Sequence, residues 1–435
     1  MKLAKLSLVA IVVAGFTSSS FAADTLADAF KNGKVNGELK AWYFDRDNGG
    51  STGVTHENIL NTGVTLNYIT DSLMGFRLAA TVQSNYAPFA TEEAKTMFKG
   101  DSYGSGAVLS EAYLGYAIGK TDVKVGRQYI STPLVSGSGS RFVKESFQGA
   151  TVVNTDLSQT TLIAGYVNKF QGRTSTLEND ADIGDIGDFS KIYALSTGKG
   201  ASVSSAYIDD AYTAGIINKS ITGLTLTGQY AVANDVAHLG DANVYHLEAN
   251  YIIPMNGFKL GFDAMYRASA TDFTSDKRLD GSYLGGRISI SELAGFGFSF
   301  AAGKSDKNDD LLAGLGNGAD STYTGSILTA THTYARNTDS YAGKISYDFS
   351  KIGVNGLSAY VLYADNNQGY TSGLAQTSGD WKNTAFDVTY AFAGALKGFT
   401  ASLQYEKQDN DKLNASGVNT NVTSDEYRFR ANYKF

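Results

Sequence analysis

Side chains able to do chemistry are few and scattered in this 435-residue chain. There is no cysteine, so a disulfide scaffold, a thiol nucleophile, an iron–sulfur cluster and thiolate-bound zinc are all excluded. The four histidines, His56, His238, His246 and His332, lie too far apart in sequence to suggest a histidine metal site. His246 and Glu248 are two residues apart, so on a strand they would share a face, as a base and its orienting carboxylate do in hydrolases. No Gly-x-Ser-x-Gly elbow accompanies them, and a strand histidine reads as a polar interior residue; no enzyme is expected. Asp180, Asp182, Asp185 and Asp188 are interleaved with Gly184 and Gly187, which makes a flexible, oxygen-rich loop and a weak Ca²⁺ candidate. The run stops short of the glutamate that closes a calcium loop, so a solvated acidic loop is the plainer reading and no cofactor is expected.

The remaining charges recur at alternate positions of apolar runs. Asp263 and Arg267 interleave with Phe262, Ala264, Tyr266 and Ala268, and Glu248 with Leu247 and Ala249. Lys344 and Asp348 alternate with Ile345 and Tyr347, and Asp387 with Phe386 and Val388. A period of two is that of a β-strand with one apolar and one polar face. Composition agrees: 27 Tyr, 23 Phe and 48 Gly against 3 Pro describe a strand-rich chain. Between the strands, eight short turns (near 70–74, 119–121, 156–159, 218–222, 254–257, 292–295, 350–356 and 394–398) alternate with nine longer loops. That layout predicts 18 antiparallel strands. The interval 171–203 is the weak point of the count, because residues 191–196 could form another strand with a partner elsewhere; 16 or 20 strands stay open.

The two ends say where such a sheet resides. Residues 1–22 join Lys2 and Lys5 to an apolar run over Leu6–Phe16 and a small-x-small ending, Ser20-Phe21-Ala22. This is the pattern of a cleaved export signal, and the run is too short to span a bilayer. Its removal takes the formal charge from −7 to about −9. The last ten residues, Glu426–Phe435, alternate without a break and end on Tyr433 and Phe435 facing the apolar side. An exported all-β chain of this pattern is expected to be a transmembrane antiparallel β-barrel over residues 23–435, with short periplasmic turns and long extracellular loops. In lipid every strand edge must close on another strand. The inner faces then carry Arg77, Glu248, Asp263, Arg267, Arg287, Lys344, Asp348 and Asp387, charges of both signs that call for a water-filled interior. Barrels of about 16–18 strands are wide enough for one. An acidic chain gives no basic surface for nucleic acid, and its net charge suggests a mild preference for cations.

A wide tube needs something to narrow it. The third long loop, read as 131–147, carries Ser136-Gly137-Ser138-Gly139-Ser140 and then Arg141, Lys144 and Glu145; a Gly/Ser tip of this kind can fold against a wall. The string from Gly126-Arg127-Gln128 through Thr132-Pro133 and Ser140-Arg141-Phe142 to Glu145-Ser146-Phe147-Gln148-Gly149 resembles the third-loop region of the OprD-like porins. It is more similar still to the major porins of Campylobacter-type bacteria. The resemblance implies a trimer of 18-stranded barrels in a Gram-negative outer membrane, with the third loop folded inward at the constriction. Arg141, Lys144 and Glu145 would line or brace the narrowest point, with Arg127 beside it. Parity places Arg127 with Val123 and Val125 on the lipid side, so either it lies at the outer rim or a bulge turns it inward, and the bulge is the reading preferred. The implied function is passive diffusion of ions and small hydrophilic solutes. The alternatives are a substrate-specific channel for small organic acids, amino acids or peptides, and an adhesin or structural barrel with a closed lumen. The expected partners are outer-membrane lipid and lipopolysaccharide, the barrel-assembly machinery that reads Tyr433 and Phe435, and two further copies of the chain.

Overall fold

A computed structural model describes residues 23–49, 54–175, 184–198, 204–274, 279–327, 333–369, 376–414 and 419–435. After a short helix α1 (Leu26–Lys31), strands β1–β7 are Lys34–Asn48, His56–Ile69, Phe76–Asn85, Gly106–Ile118, Thr121–Gln128, Ser146–Asn154 and Thr160–Gln171. Three short strands follow: β8 (Phe189–Ser190), β9 (Ile192–Thr197) and β10 (Ser205–Tyr207). β11–β16 are Asp210–Asn218, Leu224–Asn234, Ala242–Met255, Phe258–Thr271, Ser282–Leu293 and Phe296–Ser305, and β17 is Leu312–Leu315. β18–β22 are Thr338–Asp348, Leu357–Gln368, Gln376–Ala391, Phe399–Asn414 and Asn419–Lys434. A second short helix, α2 (Glu92–Met97), lies between β3 and β4.

Each long strand pairs antiparallel with its neighbours in sequence. β7 skips to β11 and β16 to β18, and β22 closes on β1 through Ala41↔Ala431 and Tyr43↔Phe429. The result is a closed barrel of 18 strands. All eight short turns fall where the sequence pattern puts them. β9 is the strand expected near 191–196, but it does not join the wall. It pairs with β10 and β17 in a separate three-stranded sheet, which is why the barrel count stays at 18.

Parity decides the two faces. Leu247, Phe262, Tyr266, Ile288, Ile345 and Phe429 are exposed on the outside, while His246, Asp263 and Arg267 beside them in sequence are buried inside. The outer surface is the apolar, aromatic-rimmed face a bilayer requires. Inside, the upper half is filled by the barrel's own loops. We label the long connections L2 (86–105), L3 (129–145), L4 (172–209) and L7 (306–337). Their apolar side chains form interior clusters, one of them built from Leu134, Val135, Phe147, Phe170, Tyr193 and Leu315.

The candidate constriction

L3 starts two residues earlier than the sequence suggests, directly after β5, and crosses the interior. Leu134 N–H donates to Gln229 Oε1 on β12 (3.0 Å), and Lys40 of β1 donates to Phe142 O (2.5 Å). Arg430 of β22 donates to Ser140 O (2.9 Å), and Gln83 of β3 both donates to Lys144 O and accepts from its N–H. One loop thus reaches from the β22–β1–β3 side of the wall across to β12.

L7 holds L3 from above. Val135 and Leu315 form a parallel bridge, with Ser136 N–H on Leu315 O (2.9 Å) and Leu315 N–H on Leu134 O (2.8 Å). The approach is close enough to demand glycine. Gly316 has φ +80°, and a Cβ there would sit 2.3 Å from Ser136 O. β17 then hands the contact on to β9 in L4, so three loops share one small sheet.

Glu145 is the polar centre of this assembly. Its carboxylate is fully buried and accepts from Ser138 N–H (2.9 Å), Asn317 N–H (3.0 Å) and Asn317 Nδ2 (2.5 Å), with Arg173 Nε at 3.1 Å. It ties L3 to L7 and L4 and does not face a lumen. Nearby, burial pushes the Asp320 carboxyl up to about 6, against the pull of Arg173 and Arg267.

A second network joins L2 and L3 to the wall. Arg46 contacts Asp101 (2.8 Å) and Glu426 (2.5 Å); Arg141 Nε lies 3.3 Å from Asp101, and Arg428 pairs with Glu426. Burial alone would raise the Asp101 carboxyl, but Arg141 and Arg46 overcome it and hold it well below the usual range. Three arginines thus share two carboxylates, each arginine with an acid beside it.

Between L3 and the β1/β22 wall a cavity of about 320 Å³ opens, lined by Lys40, Trp42, Gln83, Tyr129, Arg141 and Lys144 among others. Of its lining cations Arg141 is paired with Asp101, whereas Lys40 and Lys144 have no ion-pair partner among the described residues. Lys40 leans on the Trp42 and Phe142 rings, Lys144 on Tyr129 (4.0 Å) and Arg430 on Trp42 (4.5 Å). Among the described residues no carboxylate lies within the 4.0 Å ion-pair distance of these three. The single acid of the lining, Glu38, already has Lys434 at 3.9 Å. Burial lowers the Lys144 ammonium below its ordinary value, with Glu111 partly opposing.

The profile of the outer membrane porins of the OprD family matches residues 28–435. The chain belongs to the OprD family of outer membrane porins. No curated protein matches it. Among solved structures it is similar to Acinetobacter baumannii OccAB2, with a TM-score of 0.75 and 19% identity over 94% of this chain and 99% of that one. It is also similar to Pseudomonas aeruginosa OccK1 (OpdK), with a TM-score of 0.73 and 16% identity over 93% and 99%. A third is P. aeruginosa OccK2 (OpdF) in complex with glucuronate, with a TM-score of 0.72 and 14% identity over 93% and 98%. At such identities the shared property is the fold. Members of the family are channels for small solutes, and family and barrel together imply the Gram-negative outer membrane.

The other residues singled out by sequence fall in several places. Arg77 pairs with Asp122 (2.5 Å) inside β3–β5. Asp263 holds Arg287 (2.8 Å), and Glu248 accepts from Asn250 (3.1 Å) and Tyr323 of L7. Arg267 is buried: it donates to His246 Nδ1 (3.1 Å) and to Ala313 O and Ala319 O, so it anchors L7 and lines nothing. Lys344 lies over the Tyr360 ring (3.6 Å), and Asp387 accepts from Gln404 (2.7 Å). Asp348 is at the periplasmic end of β18, capping the turn by accepting from Ser350 N–H (3.0 Å). His246 accepts from Arg267 at Nδ1 and has Glu248 Oε2 3.4 Å from its Nε2, and among the described residues no serine hydrogen-bonds to it. Asp180 and Asp182 lie outside the described residues; Gly184 O and Asp185 O are taken by backbone N–H groups of Ser105 and Ser175.

Arg127 corrects an expectation. It stays in unbroken register opposite Ala112 and Gln148, on the outward face with Val125, and no bulge turns it inward. The bulges are on nearby strands, at Ser110 of β4 and Asn168 of β7, where they do not alter the parity of β5. Sequence reasoning also passed over Arg46, Asp101, Arg173 and all of L7. One signal was available: Leu311-Leu312-Ala313-Gly314-Leu315 is an apolar run inside a loop, and a loop that stayed in water would not carry it.

Proposed function

We propose that this porin is a diffusion channel selective for small solutes bearing a carboxylate, and that it admits them beside L3. The observation that carries this is the cavity lined by Lys40 and Lys144, with Arg430 against the Trp42 ring of the same lining and, among the described residues, no carboxylate within ion-pair distance of the three. A solute carboxylate would supply the missing partner, and the aromatic faces of Trp42, Phe142 and Tyr129 would take an apolar part of the same molecule. OccK2 binding glucuronate is in keeping with this chemistry. Net charge alone pointed to cations; the local charge beside L3 is positive, and local charge sets selectivity. On the same reading the export signal 1–22 is cleaved and the assembly machinery inserts the chain through Tyr433 and Phe435. The mature barrel then works as a homotrimer among lipopolysaccharide, with kinship to the Campylobacter-type porins carried by the L3 motif. No calcium or other cofactor takes part. A planar-bilayer reversal potential under a KCl gradient tests the selectivity. K40Q/K144Q/R430Q is expected to shift it toward cations; an unchanged potential, or a barrel without conductance, contradicts the proposal.

A further inference from the structure

The outer face of a membrane barrel is apolar, yet β5–β7 break the rule in one place. Arg127 on β5 is directly opposite Gln148 on β6, and Gln148 is directly opposite Lys169 on β7. Opposed residues of an antiparallel pair share a face, and Arg127 shares that of Val125, which is 55% exposed on the outside. The three side chains form a transverse row on the outer surface, with the two cations about 10 Å apart across two strand spacings. All three are near the extracellular ends of their strands. The row below them is Val125, Ala150 and Tyr166, with Tyr212 packed on Tyr166 at 5.1 Å. The cations therefore stand immediately outside the aromatic belt, at the level of the outer-leaflet headgroups.

Their electrostatics set them apart from other cations of the same rim. Lys304 has Asp339 at 3.3 Å and Lys407 has Asp409 at 3.0 Å, while Lys382 stands in register between Asp365 and Asp409. Arg127 and Lys169 have no carboxylate within 4.0 Å among the described residues. Asp210 on the next strand is occupied by Asn234 Nδ2 (2.6 Å). Arg127 is instead positioned by Leu109 O (3.3 Å) and by the Phe189 ring (4.4 Å), and Gln148 by Asn168 (3.4 Å).

We infer that Arg127, Gln148 and Lys169 form a binding site for the phosphorylated headgroup of an outer-leaflet glycolipid. The two cations would take phosphate oxygens, Gln148 would offer an amide N–H between them, and the acyl chains would run down over Val125, Ala150 and Val152. Charge complementarity with phosphate and continuity with the lipid-facing wall favour a lipid as the occupant.

Native mass spectrometry of the detergent-extracted, delipidated protein, reloaded with diphosphoryl lipid A, tests this. Wild type is expected to retain lipid A and R127Q/K169Q to retain at least tenfold less, with both proteins checked for folding by heat-modifiable gel mobility. Lipid A stripped of its phosphates should bind wild type no better than it binds the variant, and millimolar inorganic phosphate should not displace the lipid. K169Q alone, at a half-buried position, should lower retention about threefold and serves if the double variant does not fold. Equal retention by wild type and variant overturns the assignment, as does phosphate-independent binding. Loss of the oligomer with lipid retention unchanged also overturns it, in favour of a subunit contact.

Discussion

Glu145 is the joint on which the inward position of L3 depends, and replacing it should release the loop. Its carboxylate receives one hydrogen bond from L3 itself and two hydrogen bonds and an ion pair from L7 and L4, with no access to solvent. In Glu145→Gln the side chain keeps an acceptor for Ser138 or Asn317, but Arg173 loses its buried partner. Breaking one side of a buried pair costs about 3–5 kcal/mol in general, and the retained acceptor should hold the loss near the lower figure. At about 1.4 kcal/mol per factor of ten, about 3 kcal/mol lowers the ratio of docked to undocked L3 about a hundredfold. Glu145→Ala also removes the acceptor and should approach a thousandfold or more. In single-channel recordings the expected result is frequent excursions to a larger conductance in Glu145→Gln and a predominantly larger conductance in Glu145→Ala, with the barrel still heat-modifiable. Conductance and noise equal to wild type in both variants would refute the reasoning, because L3 would then be held by its apolar contacts alone.

Acidification should change selectivity through Asp320. Its carboxyl is raised to about 6, so it is largely ionised at pH 7.5 and neutral at pH 5. A proton gained there removes a negative charge between Arg173 and Arg267; the reversal potential should move toward anions as pH falls through 6, and Asp320→Asn should abolish the step. The linkage sign is that of a raised acid: any stability change favours the folded state as pH falls through 6. Gly316→Val places a branched side chain against Ser136 O at a positive φ and should undock L7 from L3, seen as increased protease cleavage within residues 306–337. Phe435 exchanges both backbone hydrogen bonds with Gly37 (2.9 and 3.0 Å) and presents its ring outward. Phe435→Ser should lower the yield of folded barrel in the outer membrane several-fold without changing the conductance of the channels that do insert.

The barrel was legible because lipid leaves little choice. Each wall strand must alternate and each edge must close, so turn spacing, strand parity and the last strand ending at Phe435 all carry the same information. The inward loop was legible in part: the Gly/Ser tip and the cluster Arg141–Glu145 mark L3, but nothing local tells which cation is spent. Arg141 turns out to be held by Asp101, forty residues away in another loop, while Lys144 is left unpaired. Arg267 and Asp348 were misplaced for the same reason. Parity gives the face of a side chain, but not its height in the barrel or the loop that comes down upon it. L7 escaped attention because its apolar run has meaning only once L3 is in place to cover it. Arg127 shows the reverse case. Parity gave its face correctly, and the bulge expected to overrule it sits on the strands alongside.

The most direct test of a carboxylate-selective channel is saturable interference by a small carboxylate with the ion current. In planar bilayers containing wild type, KCl current should fall with added glucuronate along a saturating curve. In K40Q/K144Q/R430Q the same additions should leave the current unchanged. A wild-type current insensitive to glucuronate, or equal sensitivity in the variant, would contradict the account.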